Sequence, residues 1–137
     1  MKSKKDANIL GIDYGTKNIG LSFSQGYLAE PLKTIKTSVP AVILLEIKKI
    51  IKRKKIQKII IGLPEGSIEE KVKEFSQMLK NISKVPVILW DETLSSFEAK
   101  KKMSQLGKHW RKRKQKEHEV AACLILQEYL DCLTDNC

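Results

Sequence analysis

The sequence predicts a single α/β domain in which an antiparallel hairpin opens a mixed sheet and parallel strands complete it, with helices packed on its faces. Three observations predict it. The stretch from Ile9 to Ser24 is an apolar run that breaks at Gly15 and resumes in alternation from Ile19 to Phe23, the pattern of two strands joined by a polar tip. Strand-like and helix-like periods then alternate down the chain, which implies crossover connections and parallel strands. At 137 residues with 42% hydrophobic side chains, one domain with a real core is the natural size.

Taken in order, Tyr27 to Ile35 reads as a third strand, which Pro31 confines to an edge or delays. Ser38 then reads as a helix cap with Pro40 in the first turn, and Ile43, Ile47, Ile50 and Ile51 share one face. Ile56 to Leu63 is the next strand, stopped at Pro64. Ser67 and Glu70 have capping-box spacing before a helix whose buried stripe is Val72, Phe75 and Leu79. Val85 to Trp90 is another strand, ending at Asp91-Glu92. A helix begins near Ser96 and breaks at Gly107, and a last helix runs from Glu117 to Leu130. Residues 1–6 are a basic tail, 107–116 a mobile basic loop, and 132–137 a short tail.

Charge narrows the partners. Twenty-six Lys and Arg against sixteen Asp and Glu give a net charge of +10, a field that favours polyanions. No run approaches the roughly 18 apolar residues of a membrane span, and Met1-Lys-Ser-Lys-Lys-Asp is not followed by an export core, so a cytoplasmic protein without a membrane partner is expected. Cys123, Cys132 and Cys137 have no paired metal-ligand spacing and read as reduced thiols.

The candidate chemistry lies at strand ends. Asp13 closes the first strand beside Ile12, where an isolated carboxylate is costly unless it meets a cation. Gly15 and Gly20 frame Thr16, Lys17 and Asn18, whose backbone N–H groups and ammonium suit an anion such as phosphate. A plain hairpin with a solvated Asp is the alternative. Asp91-Glu92 ends a later strand, and adjacency of the two strands would bring Asp13 and Glu92 within a few ångströms, an oxygen-donor pair suited to Mg²⁺ or Mn²⁺. Capping of the helix signalled by Thr93, Ser95 and Ser96 is the alternative there. His118 falls on the face of Ala121, Ala122 and Ile125, so it reads as a third ligand, a proton-transfer group or a packed structural histidine, with Glu117 and Glu119 as flanking carboxylates. From Ala99 to Lys116 there are basic residues and no acidic one. Arg111, Lys112, Arg113 and Lys114, beside Trp110, suit a phosphate backbone, whereas a solvated face is the plainer reading.

Four motifs in order, Gly-Ile-Asp-Tyr-Gly-Thr-Lys-Asn-Ile-Gly at 11–20, Ile-Ile-Gly-Leu-Pro at 60–64, Asp-Glu-Thr-Leu-Ser-Ser at 91–96 and Ala-Ala-Cys-Leu-Ile-Leu-Gln at 121–127, resemble the YqgF/RuvX family across nearly the whole chain. The resemblance implies a ribonuclease H-like fold and a cytoplasmic, metal-dependent nuclease assigned to maturation of the 5′ end of 16S ribosomal RNA, and also a Holliday junction resolvase assignment. It implies that Asp13 and Glu92 match catalytic carboxylates. Thr93 stands where the family usually has Arg, and His118 where it usually has a third Asp. The segment Glu65-Gly66-Ser67 after Pro64 is shorter than the loop expected there. Histidine lacks the negative charge of Asp and moves metal preference from Mg²⁺ toward Mn²⁺. Pre-rRNA and branched DNA are the implied partners, and monomer and homodimer are both compatible. Two other classes compete: an actin-like ATP-binding module suggested by Asp13-Tyr-Gly-Thr16, for which 137 residues hardly supply a second lobe, and a catalytically silent nucleic-acid-binding protein.

Overall fold

The computed structural model describes residues 7–63, 68–91 and 117–135. Five strands form one sheet: β1 (Ile9–Asp13), β2 (Asn18–Ser24), β3 (Glu30–Lys36), β4 (Lys58–Leu63) and β5 (Val87–Asp91). Their order is β3-β2-β1-β4-β5, antiparallel through β3, β2 and β1 and parallel through β1, β4 and β5. Helices α1 (Pro40–Arg53) and α2 (Glu69–Ser83) cross between the parallel strands, and α3 (Glu117–Asp135) covers the other face.

Strand alternation builds the two layers. Leu10 and Ile12, with Ile59 and Ile61 opposite them and Ile19 and Leu21 across the hairpin, are buried with Ile43, Ile47 and Ile50 of α1 and Val72, Phe75 and Leu79 of α2. Ile9 and Ile60 point the other way and pack with Cys123, Ile125, Leu126, Tyr129 and Leu130 of α3. Pro31 sits in the edge strand, where its missing N–H costs least, and the β2–β3 register slips beside it between Leu21 and Ser22.

Helix starts and ends depart from expectation at several points. Ser38 does not cap α1. Pro40 occupies the start of the helix, so the cap is the residue before it, Val39, whose carbonyl accepts from the Val42 and Ile43 N–H groups, both at 3.1 Å. The N-cap of α2 is Ile68, which shifts Glu70 out of capping-box position. Glu69 and Glu70 instead lie in the first turn, where they complement the helix dipole. α3 continues to Asp135, so most of the segment from 132 assigned to a tail is helical; Gln127 Nε2 bonds Asp131 Oδ1 at 3.0 Å one turn on. Cys132 is disulfide-bonded, against the expectation of reduced thiols, while Cys123 is free and buried. The expected helix near Ser96, Gly107 and the basic loop 107–116 lie outside the described residues.

Candidate active site

Asp13 is the last residue of β1, and alternation from Ile9 and Gly11 turns it toward α3. Its neighbour across the hairpin is Gly20, and Gly20 in turn pairs with Thr34 of β3. The absence of a side chain at Gly20 decides what happens above that row. The His118 carbonyl at the start of α3 lies directly on Gly20, where an added Cβ would collide with it and come 3.1 Å from the Glu119 nitrogen. Gly11, two residues before Asp13, does the same further along: a Cβ there would lie 2.9 Å from Leu126 Cβ, and the neighbouring Ser22 Oγ donates to the Ala122 carbonyl at 2.8 Å. Two glycines thus seat α3 on the sheet and bring His118 into electrostatic range of Asp13.

The Asp13 carboxyl is largely withdrawn from water. Burial pushes its pKa up to about 6, and the nearby His118 charge opposes that rise. Glu119 takes a different place from its neighbour. It is only 3% exposed and accepts a hydrogen bond from Thr34 Oγ1 at 3.2 Å, toward the β3 edge. Of the two residues beside each other in sequence, His118 acts on Asp13 and Glu119 joins α3 to β3.

The hairpin tip carries Thr16 and Lys17 exposed to solvent. Gly15 is needed for its tightness, since a Cβ there would lie 2.5 Å from the Asn18 carbonyl oxygen. Gly20, in contrast, lies within β2 beneath α3 and takes no part in framing an anion loop. Tyr14 leaves the sheet on the opposite face and stacks on Phe75 of α2 with ring centroids 4.7 Å apart, anchoring the chain just after Asp13.

The strand order also corrects the expected adjacency of the carboxylates. β4 lies between β1 and β5, so the end of β5 at Asp91 is two strand spacings, about 10 Å, from Asp13. Gly62, which pairs with Trp90 of β5, adds no side chain to the intervening strand. Glu92, Thr93 and Arg111, Lys112, Arg113 and Lys114 lie outside the described residues, as does the side chain of Glu117. Among the described residues no group of three or more His, Cys, Asp or Glu gathers around one point. A largely buried carboxylate with an imidazole in electrostatic range is a donor pair that suits a divalent cation accepting both oxygen and nitrogen.

Several residues that hold this arrangement have no motif of their own. Trp90 Nε1 donates to Glu128 Oε1 at 2.9 Å, and its ring meets Tyr129 edge-on at 5.5 Å. Lys58 Nζ donates to Tyr129 Oη at 2.9 Å. Gln127, the end of the fourth motif, accepts from the Ala29 N–H at 2.9 Å and donates to the Tyr27 carbonyl at 3.1 Å, so it clamps the β2–β3 connection. Glycines inside strands and polar residues one turn apart near the end of α3 were the available signals.

Comparison with known proteins agrees with this architecture. Solved structures of like fold include Thermus thermophilus RuvC in complex with a Holliday junction substrate, with a TM-score of 0.64 at 15% identity over 93% of this chain and 96% of that one. The fowlpox virus resolvase with Holliday junction DNA has a TM-score of 0.58 at 16% identity over 92% and 98%. These likenesses place the fold in the ribonuclease H-like class. In sequence, a Thermoanaerobacter pseudethanolicus protein is 39% identical over 90% of this chain and 95% of its own length, and one from Agathobacter rectalis is 35% identical over 93% and 97%. Both bear the name "Putative pre-16S rRNA nuclease". The family described as "RuvX: Holliday junction resolvase" matches residues 7–132, and with relatives of this identity along almost its whole length the chain belongs to the RuvX family.

Proposed function

We propose that this protein is a divalent-metal-dependent endonuclease of structured nucleic acid and that its substrate is the 5′ end of the 16S rRNA precursor. Membership of the family makes the chain a phosphodiester hydrolase. The observation that carries the site is Asp13, a carboxyl kept from water at the carboxyl end of β1, with His118 in electrostatic range of it on the helix start that rests on Gly20. In a mixed sheet of this kind the strand ends are where a ligand has access.

Asp13 and His118, with Glu92, would hold Mg²⁺ or Mn²⁺. When bound, such a cation lowers the pKa of its water and offsets the charge of the phosphate under attack. Asp13 contributes negative charge from a site of low dielectric, where it acts more strongly than at the surface. The exposed Lys17 at the hairpin tip and the basic stretch 111–114 contact phosphates and set the register of the substrate without reading its sequence. The site would work in the cytoplasm, where the precursor is made. Among the described residues no helix is long and apolar enough to cross a membrane.

Cleavage of a labelled 5′-extended 16S precursor fragment, beside a four-way DNA junction, tests this reading with Mg²⁺ and with Mn²⁺. Metal-dependent cutting of the RNA that Asp13→Asn loses is the expected result. Preferential cutting of the junction replaces the substrate, and salt-sensitive binding without any cutting means that the site with His118 has lost its chemistry.

A further inference from the structure

At the end of the sheet opposite Asp13, α1 and α2 both finish in left-handed turns built on lysine. Lys55 has φ 54° and Lys84 has φ 59°, and they are the only non-glycine residues with positive φ among the described residues. Glycine, with no Cβ to crowd the following carbonyl, is the usual residue in this conformation at a helix end, and asparagine, whose short amide can hydrogen-bond locally, is the next. Lys55 follows the C-cap of α1 and Lys84 is the C-cap of α2. They precede β4 and β5, whose starts are tied together by the Ile59 N–H bond to the Pro86 carbonyl at 2.9 Å. The two strained lysines therefore share one edge of the molecule.

Among the described residues of these two turns the charge has one sign. Lys52 and Arg53 lie in the last turn of α1 and Lys80 in that of α2, all exposed, and no acidic residue occurs from Ile47 to Pro64. None of these five cations is ion-paired among the described residues. The turn is held in place from β1: Asn8 Nδ2 donates to the carbonyls of Lys54 at 2.9 Å and Lys55 at 3.3 Å. The helix dipole accounts for cations in a last turn, and so for Lys52, Arg53 and Lys80. It does not account for lysine at the two left-handed positions, where the conformation argues against any side chain.

We infer that this edge is a second nucleic-acid contact, one that grips the phosphate backbone of a duplex arm extending from the segment at Asp13. The inference rests on the proposed nuclease function. Lys58, at the start of β4, pairs with Ile9, four residues before Asp13, so the start of β4 is about 13 Å from the site along the strands, and Lys55 and Lys84 lie beyond it. A duplex arm of 12 base pairs, about 40 Å long, is long enough to reach from the site past the start of β4.

The test is Lys55→Gly with Lys84→Gly, a pair that removes both charges while relieving both left-handed conformations. Binding is measured across salt concentrations, with a chelator present, for a short hairpin and for the same hairpin carrying a 12-base-pair arm; cleavage of the short hairpin is measured with metal. The wild type is expected to bind the extended hairpin about tenfold more tightly than the short one. The variant is expected to lose that gain and to lower the salt slope on the extended hairpin by between about 1 and 2, the release of one or two phosphate contacts. It keeps wild-type cleavage of the short hairpin and a Tm at or above that of the wild type. Asparagine at both positions, which also tolerates the conformation, gives the same losses. Unchanged affinity and slope on the extended hairpin, in a variant that melts no lower, overturn the inference alone. A wild type that neither binds nor cuts either hairpin overturns the proposed function, and the inference falls with it.

Discussion

Replacement of Asp13 by asparagine is expected to stabilise the metal-free protein at neutral pH and to do almost nothing near pH 4. Burial raises the Asp13 pKa from 3.8 to about 6. In the unfolded chain this carboxyl ionises first as pH rises, so the native state is progressively penalised between those values and bears the full cost above about pH 6. Each tenfold change in acid strength is worth about 1.4 kcal/mol, so the penalty at pH 7.5 is about 3 kcal/mol. Asparagine has nearly the same shape and no charge to bury. For a domain of this size the gain corresponds to a rise of roughly 10 °C in Tm. Thermal or urea unfolding of both proteins in a chelating buffer, at several values from pH 4 to 7.5, reads the effect directly. The difference between them should open through that range, and added Mn²⁺ should stabilise the wild type while leaving the variant unmoved. A difference that stays constant from pH 4 to 7.5 would refute the claim that Asp13 is held ionised at a cost.

Three further outcomes follow from the geometry. Gly20→Ala forces a Cβ into the His118 carbonyl at the start of α3; a loss of about 2–4 kcal/mol in urea unfolding is expected, and an unchanged midpoint would mean that α3 is not seated there. His118→Asp places a second carboxylate in electrostatic range of Asp13, so Mg²⁺ should become a better activator relative to Mn²⁺, measured as the ratio of cleavage rates with the two ions. Trp90→Phe keeps the ring against Tyr129 but removes the donor to Glu128; a loss of about 1 kcal/mol is expected in the same unfolding assay, and no loss would show that this bond is exchanged for water without cost.

The elements themselves were legible because each has a period that local physics imposes. The alternation from Ile19 to Phe23, the stripe Val72, Phe75 and Leu79, and the Ile43, Ile47, Ile50 face all appear where the sequence places them. Asp13 was legible as well, since a carboxylate closing an apolar strand has few explanations. Helix caps were less so. Ser38 has the right chemistry, but Pro40 sets the first turn one residue later and makes Val39 the cap.

What the sequence by itself determined is therefore the set of strands and helices, their faces, the basic balance of the chain and the acidic residue at the end of β1. The tertiary structure decided which of these meet. Strand order is a matter of long-range pairing, and it inserts β4 between β1 and β5, where local signals suggested that the carboxylate-bearing strands were neighbours. The division between His118 and Glu119 depends on where the first turn of α3 touches the sheet. That contact is set by the missing side chain of Gly20, about a hundred residues earlier in the chain. The lysines at 55 and 84 read as ordinary surface charges until the backbone shows their left-handed conformation, because φ at a helix end is chosen by the packing of the strand that follows and is not written in the residue itself.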